Sequence, residues 1–199
     1  MLPFVHPFTA IDAGPTTCGK TRFVFRLIDN APTTIYPVPA QIVYCYGEYQ
    51  ELFRQYPRIQ FREGLPDIGY FDGREPTLLI INDLMQETNE TIANMFTKGS
   101  HHRNVSVVFL AQNLFPKNKF ARTMSLNAHY MVLFIRETSV SLQILRDRCI
   151  RRRPSLPSKR IETRRGNLLV DIRPEQDEEL RLRTNIFPGD THYVYVSRV

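Results

Sequence analysis

Long apolar runs and cysteines are both scarce in this chain of 199 residues. The longest uninterrupted apolar stretches, such as 78–81 and 107–111, are far shorter than the roughly 18 residues that a membrane-spanning helix needs, so we expect no membrane partner. The three cysteines, Cys18, Cys45 and Cys149, are an odd number without C-x-x-C spacing. This pattern disfavours a disulfide framework and structural zinc, and it fits a reducing compartment.

We also expect no secretory leader, because no basic stretch followed by an apolar run stands at the N-terminus. We therefore expect the protein to stay inside a cell. Hydrophobic residues make up 42% and charged residues 23% of the chain, which is near the globular average and excludes a disordered or repetitive fibrous protein. A length of 199 residues predicts one domain, or one domain with a small appendage.

Positive charge is concentrated in one segment. Residues 146–165 contain nine Lys or Arg against Asp147 and Glu162, a net charge of +7, whereas the whole chain has +6 and the remainder therefore −1. Concentrated charge of this kind attracts nucleic acid through its phosphates, without reading the sequence. A solvated basic loop with no dedicated ligand is the other interpretation of the same segment.

Strand and helix patterns alternate along the chain. This alternation predicts an α/β fold, with a mostly parallel central sheet, helices on both faces and extra strands at the C-terminus. We expect a core over 1–145, a basic loop over 146–166, and strands in 167–199 that complete the same domain. The predicted strands are 8–13, 41–46, 59–61, 77–81, 105–111, 129–135, 167–172 and 191–196, and the predicted helices are 21–28, 48–56 and 84–97.

A phosphate-binding motif follows the first predicted strand. The pattern G-x-x-x-x-G-K-[ST] is matched by eight consecutive residues: Gly14, Pro15, Thr16, Thr17, Cys18, Gly19, Lys20 and Thr21. We expect Gly14 and Gly19 to permit positive φ and close backbone approach, so that amide groups surround the phosphates of a nucleotide. Lys20 would contact the β and γ phosphates, and the Thr21 hydroxyl would bind Mg²⁺.

The acidic partner of this motif is expected at the tip of strand 77–81. The strand ends in Asn82 and Asp83, and Glu87, a further candidate for catalysis, follows one helical turn later. Asp83 is the predicted carboxylate for the hydrated metal and for catalysis, and Asn82 is a candidate metal ligand whose amide cannot neutralise the cation. Alternatively, Asn82 and Asp83 simply cap the following helix.

Three further side chains are candidates for catalysis. Gln112, together with Asn113, follows the buried strand 105–111 and would sense the γ phosphate or position water, although a polar strand end before a turn has the same pattern. Arg103 and Arg122 are candidates for a charge donated across a subunit interface, and either is equally compatible with an ordinary surface position.

Several blocks of the chain resemble the genome-packaging ATPases of Maverick/Polinton elements and adintoviruses, in the FtsK–HerA group of P-loop motors. The blocks are spread over most of the chain and comprise residues 14–21, 79–85, 96–104, 112–115, 125–134 and 180–189. In this family two adjacent acids stand where this chain has Asn82 and Asp83. The stretch between the His129 block and the tail is also longer and differently composed in the family.

The resemblance implies a ring of identical subunits that hydrolyses ATP with Mg²⁺ and drives double-stranded DNA into a preformed capsid. It implies a capsid or portal-like partner and a location in the host nucleus or the virion. By the same resemblance, Lys20 and Thr21 hold phosphate and metal, Asp83 is the second acid of the strand tip, and Gln112 is the sensor.

Two other functions remain open at the level of sequence. Asn82 in place of an acid is compatible with a nucleotide-binding interaction subunit that hydrolyses weakly. A small P-loop kinase is also conceivable, although no acceptor-site or lid signature is present. ATP rather than GTP is inferred from the resemblance alone, because we find no base-reading motif.

Overall fold

The computed structural model describes residues 2–82, 84, 90–112, 119–135 and 166–196. Asp83, Glu87 and Asn113 lie outside the described residues, as does the predicted basic loop up to residue 165.

Eleven strands are present in the described part of the chain, and nine of them form one sheet in the order β11-β10-β9-β8-β2-β7-β6-β4-β5. The pairings among β8, β2, β7, β6, β4 and β5 are all parallel. The pairings of β8 with β9, β9 with β10 and β10 with β11 are antiparallel. The strands are β1 (Phe4–Val5), β2 (Thr9–Ala13), β3 (Ile35–Tyr36), β4 (Gln41–Tyr46), β5 (Gln60–Glu63), β6 (Thr77–Asn82), β7 (Val105–Ala111), β8 (Tyr130–Ile135), β9 (Gly166–Asp171), β10 (Leu182–Thr184) and β11 (Tyr193–Val194).

The described helices are short. A π-helical turn, Met95–Gly99, joins α3 to α4 into one helical run, and single 3-10 turns occur at Glu51–Gln55, Ile68–Tyr70 and Glu178–Leu180. The α-helices are α1 (Lys20–Asp29), α2 (Ala31–Thr34), α3 (Glu90–Asn94), α4 (Ser100–His102) and α5 (Lys119–Asn127). No helix in the described ranges is long and apolar enough to cross a bilayer.

The sheet separates two apolar cores. β6 and β7 are buried at every position, as expected of central parallel strands covered on both faces. Alternate residues of each strand contribute to opposite cores, so Ile80 packs with α1 whereas Ile81 packs with α3. An aromatic cluster extends the α1 core: the rings of Phe53 and Phe61 are stacked with their centres 4.3 Å apart, and those of Phe25 and Tyr56 are tilted with their centres 4.4 Å apart.

The strand order determines where a ligand can bind. β7 lies between β2, which leads into the phosphate-loop motif, and β6, which ends at Asn82. Because these strands are parallel, their carboxyl ends meet at one edge of the sheet, where ligands of open α/β sheets bind. Gly14, Asn82 and Gln112 all follow or end strands at this edge.

A buried ion network joins the C-terminal strands β9 and β10, and backbone pairing joins β9 to β8. Asp171, at the end of β9, accepts hydrogen bonds from Arg173 at 2.8 and 2.9 Å and from Arg183 on β10 at 3.1 Å. The Asp171 side chain is fully buried. Burial lowers the pKa of Arg183, and the Asp171 carboxylate opposes that change.

The fold class predicted from the alternating pattern is confirmed, and the predicted strands 8–13, 41–46, 77–81, 105–111 and 129–135 are all present within one or two residues. The helix predicted over 48–56 is wrong in type, because only the 3-10 turn Glu51–Gln55 forms there. Its aromatic side chains are held by contacts with β4, β5 and α1 rather than by a regular helical stripe. Helix α5 and the strands β1, β3 and β10 were not predicted.

Candidate nucleotide-binding site

The segment between β2 and α1 has the backbone of an anion-binding loop. Gly19, with φ of 100°, and Thr17, with φ of 64°, both adopt left-handed conformations. Successive residues of this kind turn their amide groups toward a common centre. α1 begins directly after Gly19 and has no acidic residue in its first turn, so the positive end of its dipole favours a phosphate there.

Gly14 is required for space rather than for its own backbone conformation. A Cβ at this position would lie 2.7 Å from the Phe134 Cβ, 2.8 Å from the Cys18 Sγ and 3.1 Å from the Phe134 carbonyl oxygen. The expected positive φ is therefore found at Gly19 and not at Gly14. The loop approaches β8 closely because residue 14 has no side chain, and the Gly14 amide donates to the Ala111 carbonyl of β7 at 3.1 Å.

Lys20 is held inside the loop by backbone oxygens. Its ammonium donates to the Gly14 carbonyl at 2.6 Å and to the Pro15 carbonyl at 2.9 Å, with the Cys18 sulfur at 3.8 Å. The Lys20 charge is thereby fixed beside the amide groups that surround a phosphate. A bound polyphosphate would meet this ammonium without a large movement of α1.

The loop opens onto a cavity of about 860 Å³ that runs along α1 toward the 3-10 turn Glu51–Gln55. Asn82 and Gln112 line it from the tips of β6 and β7, so the structure brings these two predicted residues to the phosphate loop. Asn82 is 8% exposed and Gln112 is exposed. Farther from the loop, the lining includes Arg26, Asp29, Gln50, Leu52 and Tyr56.

Asp12 was not predicted as a site residue. It lies on β2, two residues before Gly14, and its side chain faces the same side of the sheet as Ala10 and α1. It is 1% exposed, and neither carboxyl oxygen has a hydrogen-bond partner. Burial raises the pKa of Asp12 well above its ordinary value, and the charge of Lys20 opposes that rise.

The Tyr44 hydroxyl is a second buried polar group beneath the loop. It has no hydrogen bond of good geometry. Burial raises the pKa of Tyr44, and the neighbouring side chains of Asn82 and Thr21 partly offset that rise. The hydroxyl therefore lies beside one residue of the phosphate loop and one residue of a strand tip.

The oxygen atoms collected here suit Mg²⁺. Thr21 offers a hydroxyl and Asn82 an amide oxygen to the cavity, and Asp12 lies beneath the lining on β2 with a carboxyl group that has no hydrogen-bond partner; Mg²⁺ prefers oxygen ligands. Among the residues that the structure describes, no group of three or more His, Cys, Asp or Glu side chains could hold a metal ion by itself. Mg²⁺ usually binds through phosphates plus one or two protein groups, so a site of this kind fits a nucleotide-bound cation.

The two predicted arginines lie elsewhere. Arg103 precedes β7 and donates to the Phe71 carbonyl at 3.3 Å, at the edge of the sheet opposite Gln112 and roughly 20 Å from it. Arg122 is exposed on α5. The structure does not bring Arg103 to the phosphate loop of its own chain, and a role across a subunit interface stays a prediction for both residues.

Neither a protein-family model nor a curated protein sequence matches this chain, whereas solved structures do. The DNA-packaging ATPase B204 of Sulfolobus Turreted Icosahedral Virus aligns with 100% of both chains, at a TM-score of 0.55 and 8% identity. This chain has the P-loop NTPase fold. B204 of Sulfolobus turreted icosahedral virus 2 in complex with AMPPCP aligns with 97% of this chain and 99% of its own, at a TM-score of 0.55 and 9% identity.

The cytoplasmic domain of EssC also shares the fold, over 97% of this chain and 40% of that chain, at a TM-score of 0.52 and 11% identity. The predicted resemblance to genome-packaging ATPases is thus confirmed at the level of the P-loop NTPase fold. Asp12 and Tyr44, which sequence reasoning missed, are at strand positions. Of the two, only Asp12 could have been identified from the sequence, because burying a carboxyl group in an otherwise apolar strand costs free energy.

Proposed function

We propose that the chain is an ATP-hydrolysing motor subunit that translocates double-stranded DNA during genome packaging of a virus or virus-like element. The observation that carries the proposal is the phosphate loop with Lys20 fixed inside it, facing two polar strand tips across one edge of the sheet. The shared fold with B204, a viral packaging ATPase, supports the direction of the proposal.

Each part of the site has a separate role in the proposed reaction. The loop amides and Lys20 bind the phosphates, and Thr21 and Asn82, together with the predicted Asp83, would hold Mg²⁺, whose role is to neutralise phosphate charge. Gln112 lies at the tip of β7, next to the P-loop strand, where an amide can orient the attacking water. Asp83 and Glu87 are the predicted carboxylates for activating that water.

DNA and further copies of the chain are the proposed partners. The charge of +7 in residues 146–165 suits a phosphate backbone, and binding of this kind does not depend on DNA sequence. We propose a homo-oligomeric ring in which Arg103 or Arg122 completes the site of the neighbouring subunit, and a capsid or portal-like protein as the docking partner in the host nucleus or virion.

Steady-state ATP hydrolysis tests the proposal, measured with and without long double-stranded DNA. We expect DNA to stimulate turnover and Lys20→Ala to reduce it by about 100-fold or more, because Lys20 stabilises charge on the transferred phosphoryl group. Arg58→Ala, which removes an exposed positive charge outside the cavity, is the matched control and should retain turnover. A hydrolysis rate that does not change when DNA is added would contradict the motor proposal.

One observation favours a second candidate, a nucleotide-binding subunit that hydrolyses weakly. Asn82 lines the cavity from the tip of β6 with an amide, which carries no negative charge. For such a subunit, nucleotide would bind without turnover in either condition, and Asn82→Asp would raise turnover strongly. A competent motor would respond little to the same change.

A further inference from the structure

Unpaired buried oxygens are concentrated beneath the phosphate loop. In the described part of the chain, six buried side-chain atoms lack a hydrogen-bond partner, and three of them are the two Asp12 oxygens and the Tyr44 hydroxyl. Buried polar groups are normally paired, because an unpaired one costs about 1–3 kcal/mol and a charged one costs more. The Tyr44 hydroxyl has the side chains of Asn82 and Thr21 as neighbours, whereas neither Asp12 oxygen is paired within the described residues, so a ligand is the candidate partner for Asp12.

The sheet register places Asp12 in the same row as Asn82. Asp12 pairs with Leu110 on β7, and Leu110 pairs with Asn82 on β6. Neighbouring parallel strands carry their paired side chains on the same face, so Asp12 and Asn82 flank Leu110 on the face that α1 covers. The Asp12 carboxyl group therefore lies in the same row as the Asn82 amide, two strands away from it.

A purely structural role explains Asp12 poorly. Its row neighbours Leu110 and Val132 are apolar, and an apolar residue at position 12 would fill the same space without a desolvation cost. The positive charge of Lys20 acts on Asp12, but its ammonium is bound to loop carbonyls rather than to Asp12. Unfavourable groups of this kind are retained at functional sites, where a ligand offsets their cost.

We propose that Asp12 supplies from β2 the carboxylate that Asn82 does not supply from β6, and that it contributes negative charge to the binding of the nucleotide-bound divalent cation. This inference rests on the proposed nucleotide-binding function. A divalent cation beside Asp12 would favour its ionised form against the effect of burial, as an opposite charge does for any carboxyl group. Asp12 would add a residue of the P-loop strand itself to the predicted set of Thr21, Asn82 and Asp83.

The test compares ATP affinity with Mg²⁺ and with a metal chelator, measured by titration calorimetry, for the wild type, Asp12→Asn, Asn82→Asp and the double variant. We expect Asp12→Asn to lose about 10- to 100-fold of the Mg²⁺-dependent gain in affinity, a range typical of groups that support a metal site, and to keep its metal-free affinity. The double variant, which returns a carboxylate to the row, should recover most of the gain. Asp67→Asn removes an exposed charge outside the cavity and should change neither affinity.

Each outcome decides the inference. A full Mg²⁺-dependent gain in Asp12→Asn overturns it, even when ATP still binds, and leaves the proposed function intact. A wild type that binds no ATP under either condition overturns both. If Asp12→Asn does not fold, Asp12→Ser, which removes the charge with a smaller side chain, takes its place: a loss of about tenfold or more of the Mg²⁺-dependent gain supports the inference, and a smaller loss overturns it.

Discussion

Gly14 shows how a single residue sets the shape of the phosphate loop. Its backbone does not need a glycine, but the contacts around its Cα do, because Phe134 on β8 and the Cys18 sulfur occupy the space that a side chain would take. The Phe134 carbonyl is part of the sheet and cannot move aside. The loop is therefore fixed by packing against β8 as well as by its own turn.

Gly14→Ala is predicted to displace the loop. The added methyl group would overlap backbone and Cβ atoms of Phe134, so we expect a loss of about 1–3 kcal/mol in the free energy of unfolding and at least about a tenfold loss of ATP affinity. Urea denaturation and calorimetry measure the two effects. Gly69→Ala, where a Cβ meets nothing within 4 Å, is the control and should stay within about 0.5 kcal/mol. Equal behaviour of the two variants would contradict the steric explanation.

At the scale of the element, β9 and β10 depend on one buried carboxylate. Asp171 binds Arg173 and Arg183, whose side chains are 11% and 9% exposed, while its own exposure is 0%. Arg181 adds hydrogen bonds to the carbonyls of Asp171 and Arg173 at 3.1 and 2.8 Å. The network joins β9 to β10, and the Arg173 guanidinium also lies over the Tyr130 ring of β8, 4.9 Å from its centre.

Removing that charge is predicted to be costly. Asp171→Asn leaves two buried guanidinium groups without their counter-ion, so we expect a loss of about 3–5 kcal/mol in the free energy of unfolding, measured by urea denaturation. Asp190→Asn removes the partner of Arg26 in a pair with side-chain exposures of 45% and 24%, and it should cost at most about 1 kcal/mol. A loss below 1 kcal/mol for Asp171→Asn would show that the network contributes little.

At the scale of the whole molecule, the charge is divided between one basic segment and a nearly neutral remainder. The segment 146–165 has a net charge of +7 and the rest of the chain has −1. A ring motor that contacts DNA through such a segment would hold phosphates without reading bases. Long DNA would then slide through the ring with little dependence on its sequence.

The salt dependence of DNA binding tests this division of charge. We expect affinity for double-stranded DNA to fall by about 10³-fold or more between 50 and 200 mM salt, the loss typical of six to ten phosphate contacts, and to vary little between sequences. Changing the three arginines of 151–153 to alanine should lower the slope of log affinity against log salt by up to about 2.7. The same change at Arg54, Arg58 and Arg74 is the control. Strong preference for one DNA sequence would contradict the proposed packaging role.

The sequence by itself determined the features that depend on neighbouring residues. The G-x-x-x-x-G-K-[ST] motif, the five central strands and the start of α1 follow from spacing and apolar runs, because a strand, a tight loop and a helix N-terminus are local structures. The polar tips Asn82 and Gln112 were also predictable, since parallel strands end at one edge. The prediction for 48–56 was wrong because contacts with α1, β4 and β5 outweigh local helix propensity.

Only the tertiary structure decided the features that depend on distant residues. The position of β7 between β2 and β6, the close approach of Phe134 to Gly14, and the row shared by Asp12 and Asn82 all join residues that are distant in the chain. Paired residues of β6 and β7 are 28 positions apart, and the other residues brought together are 70 or more positions apart. Burial of Asp12 is likewise a property of the packed sheet, because the residue is covered by α1 and by neighbouring strands rather than by its sequence neighbours. The residues of the phosphate loop are neighbours in the sequence, whereas the burial and electrostatics of the groups beneath the loop depend on the tertiary structure.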